Sequence, residues 1–547
     1  MYQKQDNGSQ IMSGDGKAGG FCPAVKRFFM ALRSDETNVI RSGDAKVDGV
    51  YHTLEWLITA FAGTLVFIFF QMQVYRIPTG SMAETLRGSH FRMRCPQCGY
   101  RYDYDFYQDS YKREYGIPPN VTPSREVKIL PRSPRCPNCR FDEPAVHVAG
   151  GKAYVYRDEK ILPGRLSTVF KGDQIFVLKC IYQFFEPKRW DVIVFKTPLE
   201  PEINYIKRLI GKPGETVQLI DGDVYIDGQI ARKPEAVQDE LWMVVFDNDY
   251  QPAQPTEKGF NGHAWRPPYE PRAGGKWDLA ASGPTVFGLN DPSGAVSRVW
   301  FNSAAGNHFR ATYGYDDPTH YAYLPVCSDL MVRCYATIGP ESGFGVRLSK
   351  YGIAYEGWVY GDGRMAITRI GAEGAVETLA EGSAGAGGAG LFRFANVDHL
   401  LVLDFGDGRL EYDLGLAADA AGTARQHAPE VELAGAGTVT LRHIGLFRDI
   451  HYITGNALRA TEGSPLTLGE DQFFACGDNS PYSYDSRLWK DPGKGNNGVV
   501  YPAGIVPREY LVGKAVFVHW PGGWRFWREP LRWIPNPDGM KFIYGGE

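Results

Sequence analysis

Residues 56–75 (WLITAFAGTLVFIFFQMQVY) contain no charged side chain, and no other stretch of this 547-residue chain is comparable. A helix of about twenty residues rises roughly 30 Å, the thickness of a hydrocarbon core. A buried core helix is the alternative, but such a helix is rarely uncharged for so long. Residues 55–75 are therefore expected to form one N-terminal transmembrane helix. A cleaved export signal is not expected, because a long polar stretch precedes the run and no small-residue cleavage site follows it. Charge argues about orientation in one direction only. Arg76, Arg87, Arg92 and Arg94 follow the span, whereas Arg41 and Lys46 precede it. By the positive-inside tendency that would put the C-terminal side in the cytoplasm, although the tendency is weak for large domains.

The rest of the chain is too long for one core. It is rich in Gly (64), Tyr (31) and Phe (30), arranged in alternating runs cut by turns, which makes the fold mainly β. A formal net charge of −4 gives no electrostatic reason for a nucleic-acid partner. Residues 1–54 are polar and mixed in charge and are expected to be a partly disordered tail. Clear strands are expected at Gln174–Leu178, around Val192–Phe195, and at Thr216–Ile220, with Asp221-Gly222 and Asp227-Gly228 as hairpin turns. Residues 95–148 form a Cys-bracketed insert. Residues 239–450, with Gly-Asp-Gly-Arg turns at 361–364 and 406–409, form a second insert long enough for a β-sandwich. That leaves 76–94, 149–238 and 451–547 as three pieces of one core.

Those three pieces carry the chemistry-bearing residues. Ser81 stands in Pro78-Thr79-Gly80-Ser81-Met82, just after the apolar run. A serine is a weak nucleophile unless a base lies in hydrogen-bond reach. None of the 11 histidines stands in a recognisable triad motif. Lys207 lies in the apolar strand Asn204-Tyr205-Ile206-Lys207-Arg208-Leu209-Ile210, where burial would favour the neutral amine that a base requires. Strand alternation puts Lys207 and Arg208 on opposite faces, so one of the two is expected to point inward.

Residues 78–86, Gly172–Lys179, Tyr205–Glu215, and Gly477–Arg487 followed by Val512-Gly513-Lys514-Ala515 resemble, in family order, the motifs of bacterial type I signal peptidases. These are membrane-bound Ser/Lys endopeptidases. The resemblance implies an antiparallel β catalytic core on the extracytoplasmic side of the cytoplasmic membrane, opposite to the reading from charge, with residues 1–54 as its cytoplasmic tail. It implies substrates that are signal-peptide-bearing precursors, with the lipid bilayer and the secretion machinery as further partners. Ser81 would be the nucleophile and Lys207 its base, with no cofactor for catalysis. The backbone N–H of Ser81 and the Thr79 hydroxyl would form an oxyanion hole. Ser483 would orient the lysine amine, Asp485 and Arg487 would form a supporting ion pair, and Gly477, Asp478 and Asn479 would shape the site. Two positions depart from the family pattern: Glu84, where a proline is usual, and Ser480-Pro481 after Asn479.

Cys95-Pro96-Gln97-Cys98 and Cys136-Pro137-Asn138-Cys139 have the spacing of two zinc knuckles, and four thiolates satisfy a structural zinc ion. A pair of disulfides is the alternative in an oxidising compartment. Among the other five cysteines, Cys327 and Cys334 are the candidates for a bridge, and Cys22, Cys180 and Cys476 read as buried or incidental. The 239–450 insert loosely resembles jelly-roll modules of the laminin-G and concanavalin type, which implies an architectural role or a carbohydrate or protein ligand. Trp520, Trp524, Trp527 and Trp533 beside Arg525, Arg528 and Arg532 suit a membrane interface as well as they suit a β core. Two rival functions stand beside the endopeptidase: a membrane-anchored binding scaffold with an inactive core, and a self-cleaving Ser/Lys regulator. The intact Ser81, Thr79, Lys207 and Ser483 count against the first, and the span with the closing Gly-Asp-Asn counts against the second.

Overall fold

The computed structural model describes residues 45–105, 128–129, 134–143, 146–149, 152–157, 160–163, 167–255, 259–260, 263–315, 324–371, 374–385, 388–415, 427–496, 498–521, 523–526 and 529–546. The chain divides into two units, Met1–Phe69 and Phe70–Glu547. In the first, the apolar run forms a helix, Ala45–Gln71. It starts earlier than the expected 55 and ends before 75, because Met72–Arg76 is a strand instead. That strand pairs antiparallel with Gln174–Leu178, so the backbone polar groups of Met72 to Arg76 are used across a sheet rather than along a helix. Trp56, Leu57, Ile58 and Phe61 are exposed on the helix. Among the described residues no helix is long and apolar enough to cross a membrane, and the side chains of 65–70 lie outside them. Most of the tail (residues 1–44), like the side chains of Trp524, Trp527 and Trp533, lies outside the described residues too.

The second unit is mainly β, as the alternation implies. Its central antiparallel sheet runs in the order Met72–Arg76, Gln174–Leu178, Leu511–Trp520, Val192–Lys196, Asn204–Gly211, Gln472–Cys476, Val506–Pro507, with Lys541–Phe542 beside Leu511–Trp520. The strand Val192–Lys196 is apolar on both faces because the sheet is covered on both. Val192 and Val194 pack with Met82, Leu86, Ile175 and Val177, while Ile193 and Phe195 pack with Leu209, Phe473 and Trp489. A smaller sheet of Thr216–Ile220, Asp223–Ile226, Gln229–Ile230 and Leu466–Thr467 stands next in the chain. Its first hairpin turns at Asp221-Gly222 with φ of 50° and 93°, the paired positive values of a type I′ turn.

The long insert begins and ends on neighbouring strands, Met243–Asp247 against Val431–Arg448, with Met243 opposite Arg448. A chain whose ends leave side by side adds little closure entropy to its host, which is why so large an insertion is tolerated. Its sheet order is Val376–Ser383, Arg364–Ile370, Ile353–Tyr360, Gly343–Lys350, Val431–Arg448, Leu330–Ile338, Ala389–Val397, Leu400–Phe405, Gly408–Asp413. The strand Val431–Arg448 serves both halves, pairing with Gly343–Lys350 near its start and with Leu330–Ile338 near its end. The two halves face each other across one core, where Phe344 and Phe392 meet at 4.7 Å between ring centroids. Cys327 and Cys334 are buried free thiols inside this insert, so no bridge joins them.

The insert is tied to the smaller sheet's neighbourhood by buried charge. Lys233 Nζ lies 2.6 Å from Asp398 and 2.8 Å from Asp449, and Lys350 pairs with Asp329 and, at 3.4 Å, with Asp223. Burial lifts the Asp449 carboxyl to about 6 against the pull of Lys233. A cavity of about 280 Å³ opens nearby, between the helix Glu235–Leu241 and the insert. Its cations are matched: Arg393 to Glu235 and Asp239, Arg409 to Glu235 and Glu411, and Lys233 to Asp398. It is far more a salt-bridged seam than a binding cleft.

Candidate active site

The serine loop is held from below by the sheet. Met82, Ala83 and Leu86 are buried, and the Leu86 amide closes a turn on the Met82 carbonyl at 2.8 Å. The Arg87 amide donates to Asp173 Oδ2 (2.8 Å) and the Asp173 amide to the Arg87 carbonyl (2.9 Å), so the chain around Asp173 clamps the loop's far end. From above, Asn479 clamps the backbone of Gly80 and Ser81. Its Nδ2 donates to the Gly80 carbonyl and its amide to the Ser81 carbonyl, both at 3.1 Å.

Across from this loop, Lys207 is opposite Ile193 in the sheet and only 4 % exposed. Its Nζ lies 2.7 Å from Ser81 Oγ. Burial pulls the amine down to about 8, opposed by the nearby Asp485 carboxylate. At that value about a tenth of the amine is neutral at pH 7 and half of it near pH 8, and only the neutral form can accept the serine proton.

Arg208, the next residue, is fully buried as well. The expectation that one of the two basic residues points inward is therefore corrected: both do, on opposite faces. Arg208 is tolerated because its Nε and Nη2 meet the two oxygens of Asp478 at 2.9 and 2.7 Å, a bidentate pair, while Nη1 donates to the Trp190 carbonyl at 3.0 Å. This job for Asp478 was missed by the sequence reading, although a second basic residue on an apolar strand was its signal.

Asp485 and Arg487 meet at 2.7 Å, both buried. Against the burial that would raise it, the Arg487 guanidinium holds the Asp485 carboxyl below the usual range, helped by the Gly477 amide at 2.9 Å. Arg487 also donates to the Ser480 hydroxyl at 2.5 Å and to the Ile453 carbonyl at 2.9 Å, so the departure at Ser480 supplies it with a partner. Gly477 is a glycine for lack of room: an added Cβ would lie 2.2 Å from Ser483 Oγ and 2.4 Å from the Ser81 carbonyl oxygen. Ser483 is thus beside the Ser81 backbone and buried, but it makes no hydrogen bond to the lysine amine here. Thr79 is exposed at the loop's edge.

The four cysteines of the other motif come together. Cys95 and Cys139 sulfurs lie 3.6 Å apart, Cys98 and Cys136 sulfurs 3.7 Å, and all four lie within 4.8 Å of one another. A disulfide would need about 2.0 Å, whereas a tetrahedron of thiolates about 2.3 Å from a zinc ion has edges of about 3.8 Å. The two turns repeat each other: Gly99 N–H to the Cys95 carbonyl with φ 78°, and Arg140 N–H to the Cys136 carbonyl with φ 65°. The residues fit the metal.

A buried lysine thus lies against a serine at the antiparallel sheet of a mainly β core. The family model described as "Signal peptidase, peptidase S26" matches residues 165–258 and 446–520, the two segments on either side of the sandwich insert. Through them the chain is similar to the signal peptidase S26 family. Signal peptidase I T of Bacillus subtilis (strain 168) is 42% identical over 67 residues, 12% of this chain and 34% of that protein. Signal peptidase I of Leptolyngbya laminosa is 35% identical over 127 residues, 20% of this chain and 58% of that protein. Signal peptidase I of Rickettsia prowazekii (strain Madrid E) is 46% identical over 89 residues, covering 13% and 34%. The chain thus matches between about a third and three-fifths of these relatives' lengths. Among solved structures, carbohydrate binding module CBM66 from Bacillus subtilis covers 33% of this chain and 94% of its own at 10% identity and a TM-score of 0.22, too faint to bear on the insert's role.

Proposed function

We propose that the chain is a membrane-anchored endopeptidase that removes signal peptides from exported precursor proteins at the outer face of the cytoplasmic membrane. The observation that carries the reading is the 2.7 Å approach of Lys207 Nζ to Ser81 Oγ in a buried site of a signal-peptidase core. Neutral Lys207 takes the Ser81 proton as Oγ attacks the scissile carbonyl. The Ser81 amide, with the Thr79 hydroxyl, receives the developing oxyanion. The lysine then returns the proton to the leaving amine, and an acyl-enzyme on Ser81 remains. Lys207 next draws a proton from water for deacylation. Asp485 and Arg487 hold Gly477 and Ser480 in place rather than touching the substrate. The apolar run and the exposed Trp56, Leu57, Ile58 and Phe61 support anchoring in lipid, since such side chains on one helix call for an apolar cover. The bilayer and the secretion machinery are the partners this role requires.

Cys95, Cys98, Cys136 and Cys139 would hold a zinc ion of structural kind, which when bound cross-links the two turns and leaves no position open for substrate.

The test is cleavage of a model precursor by the full-length protein. Ser81→Ala and Lys207→Met should each abolish product formation. Wild-type rates in either variant would sink the mechanism.

A further inference from the structure

The sandwich insert reaches into the serine loop. Its segment Tyr313-Gly314-Tyr315 lies between that loop and the strand Arg101–Asp105. The ring of Tyr315, 3 % exposed, is packed so closely on Gly80 that an added Cβ there would lie 2.7 Å from Cδ1 and 2.9 Å from Cε1. The Gly314 amide donates to Glu84 Oε1 at 3.3 Å, and a Cβ on Gly314 would stand 3.0 Å from the Asp103 carbonyl oxygen. Asp103 in turn pairs with Arg87, at the loop's end, at 2.7 Å. Residues on both sides of Ser81 are thus touched by one short segment of the insert.

That segment is itself fixed. Tyr313 is buried among Trp190, Ile210 and Tyr452, and the Arg448 guanidinium sits 4.6 Å over its ring. Arg448 also bonds the Thr312 carbonyl, and Asn307 Nδ2 donates to the Thr312 hydroxyl at 3.2 Å. A rigid support on one side and the Asn479 clamp on the other leave the Gly80–Ser81 peptide little freedom.

We propose that Tyr315 is a positioning residue for the nucleophile, so that the insert is an integral part of the catalytic apparatus. This rests on the Ser81–Lys207 reading above. The flat ring fills the space that glycine leaves open at 80 and keeps Ser81 Oγ at hydrogen-bond distance from Lys207. A displacement of about 1 Å at such a site can cost about a hundredfold in rate.

The experiment measures precursor cleavage by the full-length protein and four variants: Ser81→Ala, Tyr315→Ala, Tyr315→Phe and Gly80→Ala/Tyr315→Ala, with Gly80→Ala alone as reference. Tyr315→Ala should lower kcat between about tenfold and a hundredfold while KM stays within about twofold, and Tyr315→Phe should restore the rate. The acidic limb of its pH profile should stay where the wild-type limb lies, since the lysine's surroundings are untouched. Gly80→Ala should be more active in the Tyr315→Ala background than in wild type, because the methyl then has the ring's space. A wild-type kcat in Tyr315→Ala, a shifted limb, an equal loss in Tyr315→Phe, or strictly multiplicative losses in the double variant would each overturn the proposal. If Ser81→Ala retains full activity, it is the peptidase reading that fails instead.

Discussion

Lys207 and Arg208 are adjacent on one strand, both buried, and accommodated differently: burial lowers the proton affinity of the lysine beside Ser81, and the arginine meets Asp478 at 2.7 Å. An amine can become neutral when desolvated, whereas a guanidinium cannot and must be paired. The same strand thus carries a lysine of lowered proton affinity on one face and a structural ion pair on the other.

Cleavage should follow the neutral fraction of Lys207. With the amine at about 8, kcat/KM should rise tenfold per pH unit below that value and level off above it. A rate profile flat from pH 6 to 9 would remove Lys207 as base.

Stability should respond in the opposite sense to the substitution that kills activity. Lys207 binds its proton more weakly folded, at about 8, than unfolded, at its usual 10.5. Below pH 8 the native state therefore bears the full cost of a buried ammonium, which fades as pH rises through 8 to 10.5. The difference amounts to about 3 kcal/mol. Lys207→Met should raise the melting temperature at pH 7 and lose that advantage toward pH 10.5. Equal melting of the two proteins at pH 7 would contradict it.

Arg208→Met strands Asp478 as an unpaired buried carboxylate and should cost about 3–5 kcal/mol. Arg208→Met with Asp478→Leu should recover most of that loss in a denaturation experiment, because the burden is the orphaned charge rather than the missing pair.

Gly477→Ala places a methyl against the Ser81 carbonyl and Ser483. A backbone carbonyl cannot rotate aside, so Ser81 must move, and kcat should fall by about a hundredfold. Circular dichroism should remain that of the wild type. An active Gly477→Ala enzyme would show the contact to be looser than 2.4 Å implies.

Protein prepared with zinc should carry one ion per chain by elemental analysis. Cys136→Ser and Cys139→Ser should each release it. Thiol titration of unfolded, metal-stripped protein should count Cys95, Cys98, Cys136 and Cys139 as reduced; two disulfides there would remove the metal reading.

The sequence by itself determined what depends on local pattern: the uncharged run whose greater part lies in the helix Ala45–Gln71, the alternation that makes the second unit β, the turn at Asp221-Gly222, and the pairs of cysteines with two residues between them. Spacing and periodicity are properties of neighbours along the chain, so they survive without coordinates. It also placed Ser81 and Lys207 on a loop and a strand, though not within 2.7 Å of each other. Only the tertiary structure decided where the helix gives way to a strand at Met72, since the partner strand, Gln174–Leu178, lies far along the chain. The same is true of Arg208, whose partner Asp478 is 270 residues away, and of Asn479 clamping Gly80 across 399 residues. Glu84 shows the limit most clearly. Read locally it is a departure from a family pattern; in the fold its carboxylate receives the Gly314 amide from an insert 230 residues distant. Contacts of that range depend on how separate segments pack, and no period or spacing in one segment encodes its distant partner.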